Sequence, residues 1–206
     1  MRLSRRSFFA LSAGLGAVLA QVAAAGAGDD PAATIRSFYD TLLAVMKEAK
    51  RLAFDQRFAR LEPAVERAFD LALMIRIAIG PGWPHLTPDQ QQRLSASFTR
   101  YTISTYASRF DDFSGERFEV DPNPAQNPSG VIVSTRLVRP HDEPVTLNYL
   151  MRRDGAGVWR VIDVFLSGTV SELATRRSEF VAVLQRDGAD GLVRLLEARC
   201  AAMRTG

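Results

Sequence analysis

One cysteine and two histidines in 206 residues leave little for metal or thiol chemistry. Cys200 has no partner with which to close an internal disulfide, so the fold relies on its core. Its place on an apolar C-terminal stretch marks it as a small buried residue rather than a reactive thiol. His85 and His141 sit in loops, with no cysteine, histidine or paired carboxylate at ligand spacing, which argues against a metal site. Ser167, Thr169 and Ser171 lack a nearby histidine, so they read as caps rather than nucleophiles. There is no internal repeat, no long low-complexity segment and no boundary for a second domain.

Charge excess is also missing once the N-terminus is set aside. Arg5-Arg6 precede an apolar stretch from Phe8 to about Ala25, and Ala23-Ala24-Ala25 and Ala25-Gly26-Ala27 offer small-x-small cleavage sites. Residues 1–27 therefore read as a cleaved export signal of twin-arginine type. Gly14, Gly16 and Gln21 weaken the alternative of a membrane anchor, which wants about 20 mostly apolar residues. No cysteine is present there for lipoprotein anchoring. The whole chain carries 26 Lys and Arg against 23 Asp and Glu. Losing Arg2, Arg5 and Arg6 balances residues 28–206 at zero formal charge. That removes the bulk basic footprint that nucleic-acid binding needs.

What remains fits one domain, residues 28–206, with a sizeable core. Asp30-Pro31 is an N-cap followed by proline at the first helical position. Ile35, Phe38, Leu42, Val45 and Met46 then mark one helical face. Phe54, Phe58 and Leu61 form a second stripe, which Glu62-Pro63 is expected to break. From Phe69 to Ile79 the chain is apolar nearly all round, apart from Asp70 and Arg76. Such a helix is either buried on most sides or lines an apolar cavity. Gly80-Pro81-Gly82-Trp83-Pro84 stops it. Thr87-Pro88-Asp89-Gln90 is a capping box, and Leu94, Phe98, Tyr101, Thr105 and Phe110 follow on a long helix.

After Ser114-Gly115 the period becomes two. Strands are expected at Phe118–Val120, Val131–Val138, Val145–Met151 and Val158–Phe165, with Asp154-Gly155 as a hairpin turn. They form an antiparallel meander of about four strands, apolar on one face. Thr169-x-x-Glu172 reads as a second capping box. Leu173, Phe180, Val181 and Leu184 line the next helix, Gly188 ends it, and Leu192, Leu195, Leu196 and Cys200 fill the last. Helices before and after a sheet make the class α+β, a mainly helical layer on the sheet.

The ordered set is distinctive. Phe69-Asp70 leads into Gly80 to Trp83. Thr87 to Gln90 opens the helix of Phe98, Tyr101 and Tyr106. Tyr149 to Arg152, Trp159 to Asp163, Gly168 to Ser171 and Glu179-Phe180 follow. This resembles the MlaC-type periplasmic lipid-binding family, the toluene-tolerance auxiliary components of bacterial ABC lipid transporters. Gly168-Thr169-Val170-Ser171-Glu172-Leu173 resembles the hopanoid-associated HpnM branch more than the phospholipid branch. Gly80-Pro81-Gly82, and Thr169 after Gly168, depart from the usual family pattern and leave the ligand open between phospholipid and hopanoid.

The resemblance implies an apolar cavity between helices and sheet, acyl chains inside, the head group at the mouth, and neither cofactor nor metal. It implies as partners an inner-membrane ABC complex, through its periplasmic substrate-binding subunit, and an outer-membrane donor or acceptor. The residues expected to contact lipid are Phe69, Leu73, Ile75, Ile79, Trp83, Phe98, Tyr101, Leu147, Tyr149, Met151 and Phe165. Each aromatic among them has core packing as its plain alternative, and Trp83 either sits on a loop at the mouth or plugs the core edge. Asp163 alternates with Val161, so it is expected inward, bonded to backbone amides around Gly168; the competing reading pairs it with His141 in a small α+β enzyme with a deep apolar pocket, and a third reading is a ligand-free periplasmic adaptor. Arg152-Arg153 and Arg176-Arg177 meet head groups or acidic partners, or are solvated faces.

Overall fold

The computed structural model describes residues 30–205; the export-signal reading lies outside them. Among the described residues five α-helices and six strands follow in the order α1 (Pro31–Glu48), α2 (Phe54–Ala68), α3 (Leu71–Ile79), α4 (Pro88–Arg109), β1 (Arg117–Val120), β2 (Ala125–Asn127), β3 (Gly130–Val138), β4 (Val145–Arg153), β5 (Trp159–Leu166), β6 (Val170–Ser171) and α5 (Glu172–Thr205). The class is α+β, as the periodicity predicts.

All strand pairings are antiparallel, in the order β1-β3-β4-β5-β6, and β2 pairs with β3 beside β1. The four expected strands are present. Two short ones are added, β2 in the proline-rich loop and β6 just before α5. Gly130 opens β3 where a side chain has no room: a Cβ there would lie 2.1 Å from the Met151 carbonyl oxygen.

Helix ends follow local chemistry. The Asp30 carboxylate accepts from the Ala32 amide at 2.8 Å. Thr87 and Gln90 exchange the two bonds of a capping box. Asp70 caps α3 by accepting from the Leu73 amide at 2.9 Å. Phe69 therefore precedes α3 rather than belonging to it, and it bridges to Val161 of β5.

Pro63 does not break its helix; α2 runs through it to Ala68. Proline forfeits one backbone bond, but Leu61, Ala64, Val65 and Ala68 bury one continuous face around it. The second capping box is also displaced. Ser171, not Thr169, caps α5, its hydroxyl accepting from the Ala174 amide at 2.9 Å. The reason lies in the turn before it. Ser167 and Gly168 both have positive φ, and the Thr169 amide bonds back to Leu166. That tight turn folds Thr169 and Val170 back beside β5, so the helix starts two residues later than expected. α5 is broken at Gly188, where φ is 68° and ψ is −172°.

The core lies between the helices and one face of the sheet. α1 sends Ile35, Phe38, Tyr39 and Leu42 into it, and β3 and β4 answer with Val133, Leu147, Tyr149 and Met151. Tyr39 stacks on Phe118 at 4.1 Å between ring centres, and Phe38 meets Phe69 and Tyr106 edge-on at 5.3 and 5.1 Å.

Candidate functional site

β5 carries the irregularity that shapes the site. Leu150 pairs with Asp163, but the next residue, Met151, pairs with Val161. Ile162 is thus the extra residue of a β-bulge, and a bulge shifts the in-out alternation by one. Before it, Val161 faces the helices. After it, Val164 and Leu166 do, opposite Tyr149 and Leu147. Phe165 pairs with Asn148 and is carried to the other face.

Beyond the bulge the sheet and the helices stand apart and leave a cavity of about 130 Å³. Its floor is Leu147, Tyr149, Val164 and Leu166 of the sheet. Its roof is one stripe of α4: Phe98, Tyr101, Thr102, Thr105, Tyr106 and Arg109, with Phe110 at the end. Phe69 and Met74 close the inner side, and Glu172, Leu173 and Arg176 from the first turns of α5 complete the rim.

Of the eleven expected contacts, Phe69, Phe98, Tyr101, Leu147 and Tyr149 reach this cavity. Ile75 of α3 and Met151 are fully buried in the core, Met151 on the far side of the bulge from the cavity. Leu73 is half-buried outside the wall. Ile79 is buried and touches a separate groove formed with Gly82 and α5. Trp83 packs partly buried against the core from the 3-10 turn Gly80–His85, its carbonyl accepting from Gln91. Phe165 is on the outer face for the reason given above. Thr102, Thr105 and Arg109 were legible at the spacing of Phe98 and Tyr101: steps of three and four residues put all of them on one helical face. Val164 and Leu166 were not, because alternation cannot foresee a bulge.

Beneath the floor runs a chain of buried hydroxyls. Tyr39 Oη lies 2.7 Å from Thr135 Oγ1 and 2.9 Å from Tyr149 Oη, and Thr135 Oγ1 donates to the Leu147 carbonyl at 2.7 Å. Burial pushes the Tyr39 phenol up to about 12 and those of Tyr149 and Tyr106 well above their ordinary value. All three stay neutral, so the tyrosines of the floor and the roof bring no charge to the cavity.

The rim differs. The Arg176 guanidinium donates to Tyr101 Oη and to Glu172 Oε2, the latter at 2.8 Å, and its carbon stands 5.0 Å from the centre of the Tyr101 ring. Burial pushes the Glu172 carboxyl above its ordinary value; Arg109 opposes this and Asp163 adds to it. Arg177, by contrast, ties α5 to α3 through the Ile77 carbonyl at 2.6 Å. Arg152 is exposed, and Arg153 lies over the Trp159 ring at 4.6 Å.

Asp163 holds the local structure. Its carboxylate accepts from the Ser171 hydroxyl at 2.5 Å and from the amides of Val164 and Leu173 at 2.8 and 3.3 Å. Ser171 and Leu173 lie at the start of α5 and Val164 in β5 itself, rather than at Gly168, whose carbonyl instead accepts from Asn148. His85 and His141 are exposed. Cys200 is free and half-buried, against Phe54 and Phe58 rather than enclosed. Among the described residues no three of His, Cys, Asp and Glu are grouped to hold a metal ion, and no helix is long and apolar enough to cross a membrane.

The fold that carries this site has a solved counterpart. The structure is similar to that of a phospholipid-binding protein from Ralstonia solanacearum, solved in complex with a phospholipid. The TM-score is 0.72 and the identity 27%, over 84% of this chain and 98% of the other. No curated protein matches. The family described as MlaC protein matches residues 36–198, most of the chain, and the protein belongs to that family.

Proposed function

We propose that this protein is a periplasmic lipid carrier rather than a catalyst. It takes a phospholipid or hopanoid and shuttles it between the outer membrane and an inner-membrane ABC transport system, which it meets through that system's periplasmic substrate-binding subunit. The observation that carries this reading is the aromatic-walled cavity between α4 and β4–β5, in a chain of the MlaC family. The phospholipid held by the Ralstonia protein supports it. Apolar surface entering such a chamber yields about 25 cal/mol per Å², so one acyl chain supplies several kcal/mol.

Size sets a condition on loading. A cavity of about 130 Å³ suits a benzene-sized guest, whereas ligand pockets run to roughly 300–1,000 Å³. Entry of an acyl chain therefore requires α4 to draw away from the sheet. No observation favours an enzyme on this scaffold, since both oxygens of Asp163 are committed to Ser171 and backbone amides.

The test is mass spectrometry of organic extracts from protein purified without detergent from its own periplasm. A stoichiometric phospholipid or hopanoid is expected. Folded protein with no extractable lipid and no uptake of added lipid refutes the reading.

A further inference from the structure

The two halves of α5 are attached to different parts of the molecule. The first half, residues 172–187, belongs with the sheet. Just ahead of it Val170 and Ser171 pair with Leu166 and Phe165 of β5. The Asp163 carboxylate accepts from the Ser171 hydroxyl and the Leu173 amide. Arg177 donates to the Ile77 carbonyl of α3, and α3 begins beside Asp70, whose amide donates to the Val161 carbonyl of β5. The second half, residues 189–205, belongs with the other helices. Asp190 pairs with Arg93 of α4 at 2.7 Å, Arg204 reaches Asp55 of α2, and Leu192 and Leu196 are wholly buried.

Gly188 stands between these attachments. Its φ of 68° and ψ of −172° lie where only glycine sits without strain. Close to it, a Cβ on Gly191 would lie 2.2 Å from that of Asp187, so the halves also meet at close range. The first half is joined to α4 and to the second half through side chains: Arg176 to Tyr101, Arg199 to Glu179, and Phe180 edge-on to Phe98 at 6.4 Å. It buries only Leu173 and Phe180. A groove of about 490 Å³ along Gly82, Val181 and Leu184 leaves its other flank loosely packed.

We propose that Gly188 is the hinge on which the cavity opens. The sheet carries the first half of α5, α4 carries the second half, and the two bodies part along the seam between α4 and the first half. Arg176 with Tyr101, and Arg199 with Glu179, are the latches that release. This rests on the carrier reading and adds where the parting falls. A hinge needs only a few residues that absorb the change in φ and ψ. A glycine at the junction lets one chain segment serve both walls while the β6 pairing and the helix ladders stay intact. One acyl chain between the walls adds about one van der Waals layer, roughly 4 Å.

The test uses the exported chain with Cys200→Ser, spin-labelled in pairs at exposed positions. Arg100→Cys on α4 is combined with Ala174→Cys in the first half of α5, and separately with Arg194→Cys in the second half. Ala174→Cys is also combined with Arg136→Cys on β3. Distances are read by pulsed electron spin resonance before and after loading with dioleoyl phosphatidylglycerol, and native mass spectrometry counts the bound lipid. The distance from position 100 to 174 is expected to lengthen by about 4 Å, while the other two stay as they were. Bound lipid with the first distance unchanged, or with position 174 leaving 136 or 194 leaving 100, overturns the hinge and leaves the carrier reading standing. Absence of bound lipid defeats the carrier reading itself. Arg199→Gln frees one latch without altering the cavity lining. It is expected to speed lipid uptake about two- to fivefold, the scale of a part-exposed ion pair, and an unchanged rate overturns that latch.

Discussion

β4 and β5 meet the helices twice, and the two meetings differ. Before the bulge, Val161 and Met151 are both wholly buried, Phe69 bridges to Val161, and the Asp70 amide donates to the Val161 carbonyl at 2.9 Å. After it, Leu147 and Val164 face a cavity. The residue types at the two ends are alike, so composition does not decide which end is hollow. Anchoring does. At the packed end the α2–α3 junction is bonded directly to the strand edge. At the hollow end α5 is tied to β5 at its start, through the β6 pairing, and α4 is joined to α5 over the cavity through a side chain, Arg176 to Tyr101. Side-chain bridges can part and re-form without breaking a backbone ladder, which suits the end that must open.

The largest expected contrast comes from removing one apolar side chain at each end. Met151→Ala deletes fully buried volume in close-packed surroundings at the packed end and should cost about 2–5 kcal/mol. Leu147→Ala enlarges a space already present, where fewer contacts are lost, and should cost less than about 2 kcal/mol. Urea unfolding of both variants measures this; equal losses would mean the cavity end is packed as tightly as the other.

A smaller effect separates floor from wall. Tyr39→Phe removes the hydroxyl between Thr135 and Tyr149. Each loses a buried partner, at about 1–2 kcal/mol in total. Unfolding free energy reads the loss, and a stability equal to that of the unaltered protein would show that the hydroxyl chain contributes nothing.

The smallest contrast is in sign. Burial raises the folded-state pKa of Glu172 at the rim, against Arg109. Its contribution is therefore present below its unfolded pKa and lost as pH rises through the folded one. Asp154, in the hairpin at the packed end, is held below its usual range first by the Val158 amide and then by Arg160. Its contribution is present above its unfolded pKa and lost as pH falls through the folded one. Unfolding midpoints across the carboxylate range should show Glu172→Gln gaining on the unaltered protein as pH rises. Asp154→Asn should fall furthest behind at neutral pH and converge in acid. Parallel profiles would contradict both assignments.

Local chemistry settled a good part of this molecule. The faces of α1 and α4, the caps at Asp30 and Thr87, the break at Gly188 and the four longer strands all follow from residues within a few positions of one another. So does half of the roof, because helical spacing carries Phe98 and Tyr101 on to Thr105 and Arg109. Family resemblance was legible for the same reason, being an ordered series of such local signatures.

Only the tertiary structure decided the rest. Pro63 stays inside α2 because Leu61, Ala64, Val65 and Ala68 bury a shared face across it. Ser171 rather than Thr169 caps α5 because the turn at Ser167-Gly168 lays the intervening residues against β5. Phe165 faces away from the cavity because Ile162 is bulged, and a one-residue shift reverses every side chain that follows. Tyr39 finds Tyr149 across 110 positions of chain. Short-range rules act through backbone geometry over a few residues. Where the sheet and helices part depends on which strand edges are bonded to distant backbone, and that is settled only when the whole chain has folded.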